Sequence, residues 1–491
     1  LEEQIARKPF AHWAEAFQRH DVAYSPLQTT QEAMDDVQVR HLGLVVPVDD
    51  PVLGPTHQVG PMFELRGGGW RVRGREPAAD EHTRENQRVL ASSNAPTPPA
   101  GGAQPKSMLD GITVLETATY VAAPTAIGYL VDYGADVLRV EPPGGDPQNK
   151  WGPVNTRPNR GKRSIRLDLK HPKGQEVLHR LAAEADVFVH NFRPGVAERL
   201  RIDFDTLEAI NPRLVYCYAA SYGSSGPYAG RPAFDPVVSA LMGGEMAQAG
   251  EGNPPLIHFT SDLGAGVTTA TAILAALYQR ERTGKGQHVE TRMLNAAAYL
   301  HSDDFLRYEG KPARPLADAG QHGLHALYRL YEAAPGWVFL AVGTDGEWRA
   351  FCQATGNVAW LDDPRFETQE ARLANDASLA DDLDKLFRAG AAEDWERDLT
   401  AAGVACVCAH REFGRMLFDH KPMRDVLGSI SGYHATYGEF LQPGPLVGLS
   451  GVPSVKRVRT SASGEDTAGV LRSLGYSEAE TKRLYEQNVV E

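Results

Sequence analysis

Sulfur is scarce in this chain. Four cysteines stand in 491 residues, Cys217, Cys352, Cys406 and Cys408, with no CxxC pair and no Cys/His ligand spacing. Reduced thiols of a cytoplasmic protein are expected, not a disulfide framework or a metal site. No apolar run reaches the ~20 residues that cross a bilayer. The first strand-to-helix turn, ETATYVAAP, lacks the GxGxxG glycines that let backbone approach a pyrophosphate, which argues against a nicotinamide-dependent enzyme. GxxxxGK[ST], GxSxG and HExxH are missing too, and with them the P-loop, serine-elbow and zincin chemistries. Positive charge is also short: 50 Lys and Arg against 63 Asp and Glu give a net charge of −13. Such a balance argues against nucleic acid or an anionic membrane as partner.

What is present falls into two pieces. Residues 91–106, ASSNAPTPPAGGAQPK, read as a linker because nothing in them can be buried. The front piece, 1–90, repeats landmarks from the end of the back piece in the same order. Trp13 and Trp395 open amphipathic helices that run into VAYSPL and VACVCA. Glu32 and Glu412, then Leu42-Gly43 and Leu427-Gly428, then Gly60-Pro61 and Gly444-Pro445 follow, with an acidic segment near Glu81 and Glu465. This order reads as an internal duplication. With Leu1 as first residue, the expectation is a longer two-copy protein in which only the second copy is intact here.

The back piece alternates strand and helix signals: strands at 111–115, 136–141, 186–192 and 214–220, helices at 123–133, 173–184 and 203–210. That alternation predicts an α/β fold with an open, doubly wound parallel sheet.

Three stretches carry candidate chemistry. Residues 157–174, RPNRGKRSIRLDLKHPKG, crowd seven cations around one acid, Asp168. A one-sign cluster in an acidic chain reads as an anion site, against the alternative of a solvated charged face. HNFRPG, 190–195, ends a predicted strand, where ligands of open parallel sheets bind; Asn191 offers an amide there and Phe192 a flat face. SDLGAG, 261–266, places Asp262 just before a long apolar helix. Asp262 reads either as that helix's N-cap or as a carboxylate nucleophile favoured by the helix N-terminus. His258, four residues earlier, stands as an alternative base.

Taken together, LDGITVLE, GADVLRVEPPGGD, NRGKRSIRLDLKHPKG, ADVFVHNFRPG, GPYAGRPAFD, SDLGAG and RERTGKGQHVE resemble the family III CoA-transferases, the CaiB/BaiF family. The resemblance covers residues 107–491, and the front piece resembles the C-terminal part of another copy. It implies a large domain from about 107–300 and 385–491, a small α+β domain from about 320–380, and an interlocked dimer or an intramolecular pseudo-dimer. It implies a transferase that moves CoA between an acyl-CoA and a small carboxylic acid, with coenzyme A as substrate and no metal. Asp262 is the implied nucleophile, with Ser261 where the family has Ala or Gly. Thr119, Val121, Leu167, Lys170, Asn191, Phe192, Arg199 and Arg231 are the implied CoA contacts. ADAGQHG, 317–323, stands where formyl-CoA transferases have a glycine-only loop, which argues against formyl and oxalate specificity. An α-methylacyl-CoA racemase using His258 with Asp262, a dimethylsulfoniopropionate-type transferase/lyase and an inactive CoA-binding subunit are the alternatives.

Overall fold

The structure is a computed structural model that describes residues 1–66, 74–75, 77–92, 107–412, 414, 418–448 and 457–491. Most of the expected linker, 93–106, lies outside the described residues. The chain divides into two compact units: 1–244 with 258–311 and 425–491, and 245–257 with 312–424.

The first unit is built on a seven-stranded sheet. Its strands are β3 (Phe63–Leu65), β4 (Thr113–Glu116), β5 (Asp136–Glu141), β6 (Arg163–Arg166), β7 (Val187–His190), β8 (Val215–Ala220) and β9 (Gln287–Arg292). Their spatial order is β3-β9-β8-β7-β4-β5-β6. All neighbours are parallel except β3, which lies antiparallel on β9. Side chains alternate between the two faces, as the period of a strand requires. Val187, Val189, Val215 and Cys217 enter one core, Phe188, Tyr216 and Tyr218 the other. From β4 the chain winds outward through β5 and β6, then crosses back to place β7 on the other side of β4. The winding direction therefore reverses between β4 and β7.

The front residues supply β3 and a hairpin, β1 (Val45–Asp50) with β2 (Gly54–Val59). A late two-residue strand, β10 (Leu306–Arg307), extends that hairpin. The hairpin follows a helix (Val37–His41) and Leu42-Gly43; a second antiparallel hairpin, Ile430–His434 with Gly438–Gln442, follows a helix (Lys421–Leu427) and Leu427-Gly428. Gly43 and Gly428 both take positive φ, 63° and 58°, the conformation that ends a helix most readily with glycine.

The second unit has an antiparallel sheet, Gly323–His325, Tyr328–Glu332, Trp337–Ala341 and Ala405–Cys408 in that order. It packs around Trp348, Phe351, Phe366 and Phe387. The expected return to the large domain near 385 moves to 425, because Ala405–Cys408 pairs with Trp337–Ala341 and keeps 385–424 in this unit.

Candidate active site

Asp262 is not the cap of its helix. The helix runs Ser261–Thr283 and its N-cap, Thr260, makes no side-chain capping bond. The first-turn amides are taken by a distant residue: Asp235 accepts from the N–H of Ser261 at 3.1 Å and of Asp262 at 2.9 Å. Asp235 is buried and opens helix Asp235–Leu241. The capping reading of Asp262 therefore falls, and its carboxyl accepts no hydrogen bond among the described residues.

Three helix N-termini meet here. Gly266, one turn after Asp262, lies where a Cβ would come within 3.2 Å of Thr125 and 3.3 Å of the Ala122 carbonyl oxygen. That close approach sets the long helix on the first turn of helix Ala122–Asp132, which no N-cap side chain closes. Tyr120, in the turn before it, meets Phe234 edge-on with ring centroids 5.6 Å apart. Phe234 leads directly into Asp235. Each N-terminus carries a partial positive charge that favours an anion. Burial and the Asp235 carboxylate work the other way and push the Asp262 carboxyl up to about 7. Asp262 is thus held near the midpoint of its ionisation at neutral pH.

Thr119 and Asn191 straddle the reversal point of the sheet. The Thr119 N–H donates to Asn191 Oδ1 at 3.1 Å, and Asn191 Nδ2 donates to the Thr119 carbonyl at 2.8 Å. These reciprocal bonds join the turns after β4 and β7, beyond the strand C-termini, where open α/β sheets bind ligands. Val121 is the N-cap residue of helix Ala122–Asp132, and Tyr120 beside it is held at φ 66°. Phe192 stacks on His190, centroids 5.5 Å apart. His190 Nδ1 accepts from the Phe192 N–H at 3.3 Å, so its proton sits on Nε2 and donates to the Tyr216 hydroxyl at 2.8 Å. Burial lowers its pKa to about 3, so it stays neutral.

The remaining expected contacts disperse. Arg199 is exposed at the end of helix Val196–Arg199. Leu167 is only 1% exposed and lies in the core. Arg231 lies over Tyr228 at 3.8 Å and Tyr24 at 5.0 Å, where it ties the front residues down.

The basic run needs the largest correction. Five of its seven cations are ion-paired: Arg160 with Asp132, Lys162 with Glu116, Arg163 with Asp136, Arg166 with Glu491 and Lys173 with Glu176. Only Arg157 and Lys170 have no ion-pair partner among the described residues, and Lys170 is exposed. The strand β6 within the run explains why: it carries Arg163 and Arg166 to an edge where acids of neighbouring elements face them. His258, the alternative base, bonds Thr260 Oγ1 at 3.2 Å and Ser239 Oγ at 3.5 Å, not Asp262. Asp235 was visible in the sequence only as an alternative carboxylate; the string FDPVVSAL marks a helix start with Pro at its first turn, but not that Asp235 would cap the long helix.

No helix among the described residues is long and apolar enough to cross a membrane, and no His, Cys, Asp and Glu group among them is arranged to hold a metal ion. A half-buried carboxyl at a convergence of helix N-termini is the candidate acyl- or group-transfer site. The chain belongs to CoA-transferase family III, whose model matches residues 1–83 and 109–467. It is 36% identical over 290 residues to the succinate–glutarate CoA-transferase of Agrobacterium fabrum, covering 55% of this chain and 72% of that one. It is 33% identical to the acetyl-CoA:oxalate CoA-transferase of Acetobacter aceti, covering 62% and 80%. The crystal structure of a CaiB/BaiF family protein from Brucella suis matches with a TM-score of 0.64 at 29% identity, over 75% of this chain and all of that one. The protein is accordingly a transferase of the CoA-transferase class.

Proposed function

We propose that this enzyme moves CoA from an acyl-CoA to a free carboxylic acid through covalent intermediates on Asp262. The observation that carries the reading is a carboxyl in the first turn of a helix with its capping task done by another residue. An Asp262 oxygen attacks the thioester carbonyl; the C–S bond breaks, leaving a mixed anhydride and CoA thiolate. The thiolate attacks the aspartyl carbonyl, which releases the donor acid and leaves an aspartyl-CoA thioester. The acceptor carboxylate attacks that thioester, and the thiolate then takes the acceptor's acyl carbon, freeing Asp262. One difficult exchange becomes several easier ones. Amides at the first turn of helix Ala122–Asp132 are suited to bear the developing oxyanions, and the Thr119–Asn191 turn is suited to receive the thioester arm. The two relatives act by name on succinate, glutarate and oxalate, so dicarboxylic acids are the first acceptors to try, oxalate included. The front residues read as the C-terminal part of another copy, supported by the repeated helix, Leu-Gly and hairpin order.

The test is trapping. Wild type incubated with succinyl-CoA and then hydroxylamine should carry one modified peptide, Ser261-Asp262-Leu263. Asp262→Asn should fold yet lose on the order of 10⁴-fold or more in turnover, because a neutral amide cannot attack a thioester. Turnover at the wild-type rate in that variant would end the proposal. The nucleophile works ionised and its pKa stands at about 7, so kcat/KM should rise about tenfold per pH unit below neutrality and level off above it.

A further inference from the structure

We infer that Asp235 is the positioning residue of the nucleophile, and that front residues 25–30 hold its helix in place. This rests on Asp262 being the nucleophile. Asp235 meets two requirements at once. Its two carboxylate oxygens take the N–H groups of Ser261 and Asp262, which fixes the first turn of the long helix. It also sets a like charge beside Asp262.

The helix that carries Asp235 is short, Asp235–Leu241, and its C-terminal carbonyls would lack partners if left alone. The front segment meets that end and the first turn as well: the Gln28 N–H donates to the Ala240 carbonyl at 3.1 Å and Thr30 Oγ1 to that of the C-cap Met242 at 3.4 Å, while Ser25 Oγ donates to the Val237 carbonyl in the first turn at 2.7 Å. Gly243 can have no side chain there, since a Cβ would lie 2.3 Å from the Thr30 nitrogen. Further along, Gln38 bonds Tyr222, Ser225 and Tyr228, and Tyr228 donates to Asp36. A continuous hydrogen-bonded path thus runs from residues 25–30, through one helix of seven residues, to the nucleophile.

Titratable groups around this turn are Asp235 on its helix, His258 on the segment leading into the long helix, Tyr120 before helix Ala122–Asp132, and His301 after helix Met293–Leu300. Of these, only Asp235 acts on the Asp262 carboxyl by charge.

The experiment compares wild type, Asp235→Asn and Asp235→Glu in the full chain. Carbodiimide, which reacts with protonated carboxyls, is titrated against pH without substrate, and modification of the Asp262 peptide is read by mass spectrometry. In Asp235→Asn the inflection should fall by about one pH unit, because the like charge is gone. Its kcat should drop about tenfold with KM for acyl-CoA nearly unchanged, since Asn can accept from only one of the two amides. Asp235→Glu keeps the charge, so it should retain the wild-type inflection while kcat still drops. Ser25→Ala, remote from the chemistry, should lower kcat by about threefold with the inflection unmoved. A role in folding alone would change melting temperature but neither the inflection nor kcat per folded molecule. An unmoved inflection in Asp235→Asn, or kcat unchanged in folded Asp235→Asn, overturns the inference. Because the carbodiimide titration uses no substrate, it still reads the coupling if hydroxylamine trapping shows that Asp262 is not the nucleophile.

Discussion

Two regions of this molecule treat charge in opposite ways. Residues 157–174 bring seven cations into one stretch of an acidic chain, and the fold neutralises five of them against acids from other elements. Asp235 and Asp262 are two acids 27 positions apart, and the fold sets them side by side with only backbone amides between them. The dense region is mostly scaffold; the sparse one is the candidate site. Charge that has been left unneutralised at some energetic disadvantage is the better guide to chemistry than charge that is merely abundant.

The comparison breaks most visibly at Lys162. Its ammonium is fully buried and bonds both Glu116 oxygens, the Pro124 carbonyl and, more weakly, Asn159 Oδ1. Burial pulls it down to about 8 and pushes Glu116 up, and their contact opposes both. Lys162→Met should destabilise by about 3–5 kcal/mol, because Glu116 would be left as an uncompensated buried charge. Lys162→Met with Glu116→Leu should recover most of that loss. Urea denaturation measures both. A small effect in the single variant would mean that the run is not scaffold.

Much of the architecture was legible. The strands at 136–141 and 214–220 and the helices around 123–133 and 173–184 stand within a few residues of where periodicity put them, since each buries a regular face. Strand β6 was hidden because its pattern, RSIR, sets two buried residues between two arginines, without the period-2 alternation of a strand, inside a run that reads as a charged cluster. The site was half legible. Asp262 announces itself by the glycines after it, and Asn191 by its place at a strand end. The partners were not, because they are contacts of the folded chain: Asn191 with Thr119 across 72 residues, Lys162 with Glu116 across 46.

The acidic pair breaks in the other direction. Its strain is visible in stability, independent of turnover. The folded state holds the Asp262 proton up to about pH 7, while an unfolded aspartate releases it near 4. The contribution of this group is therefore fully favourable below about pH 4, is lost as pH rises to about 7, and stays lost above it. Asp262→Asn removes the charge and keeps the shape. It should be more stable than wild type at pH 8 by about 1–3 kcal/mol and equal to it near pH 4. Denaturant titrations at the two pH values test the sign; a variant less stable at pH 8 would mean that the carboxylate makes a favourable contact.

The smallest effect separates Lys170, one of the two unpaired members of the basic run, from the paired ones. Lys170 is exposed, has no ion-pair partner among the described residues, and its N–H already bonds Asp168 Oδ1, which fixes the turn it projects from. An ammonium in that position is available to a phosphate, whereas Arg163 is exposed but occupied by Asp136 at 2.7 Å. Lys170→Ala should weaken CoA about fivefold at low salt, the worth of one screened phosphate contact near 1 kcal/mol, and flatten the salt dependence of what remains. Arg163→Ala should change CoA affinity negligibly and stability by less than about 0.5 kcal/mol, the usual scale of an exposed pair. Arg166→Ala is a poor probe for this purpose, since its guanidinium bonds Ser463 and Glu491 and its loss loosens the chain end. Calorimetric titration with CoA at two ionic strengths resolves the pair. Equal losses in Lys170→Ala and Arg163→Ala would show that the run acts through its total field and not through the one ammonium the fold leaves unpaired and exposed.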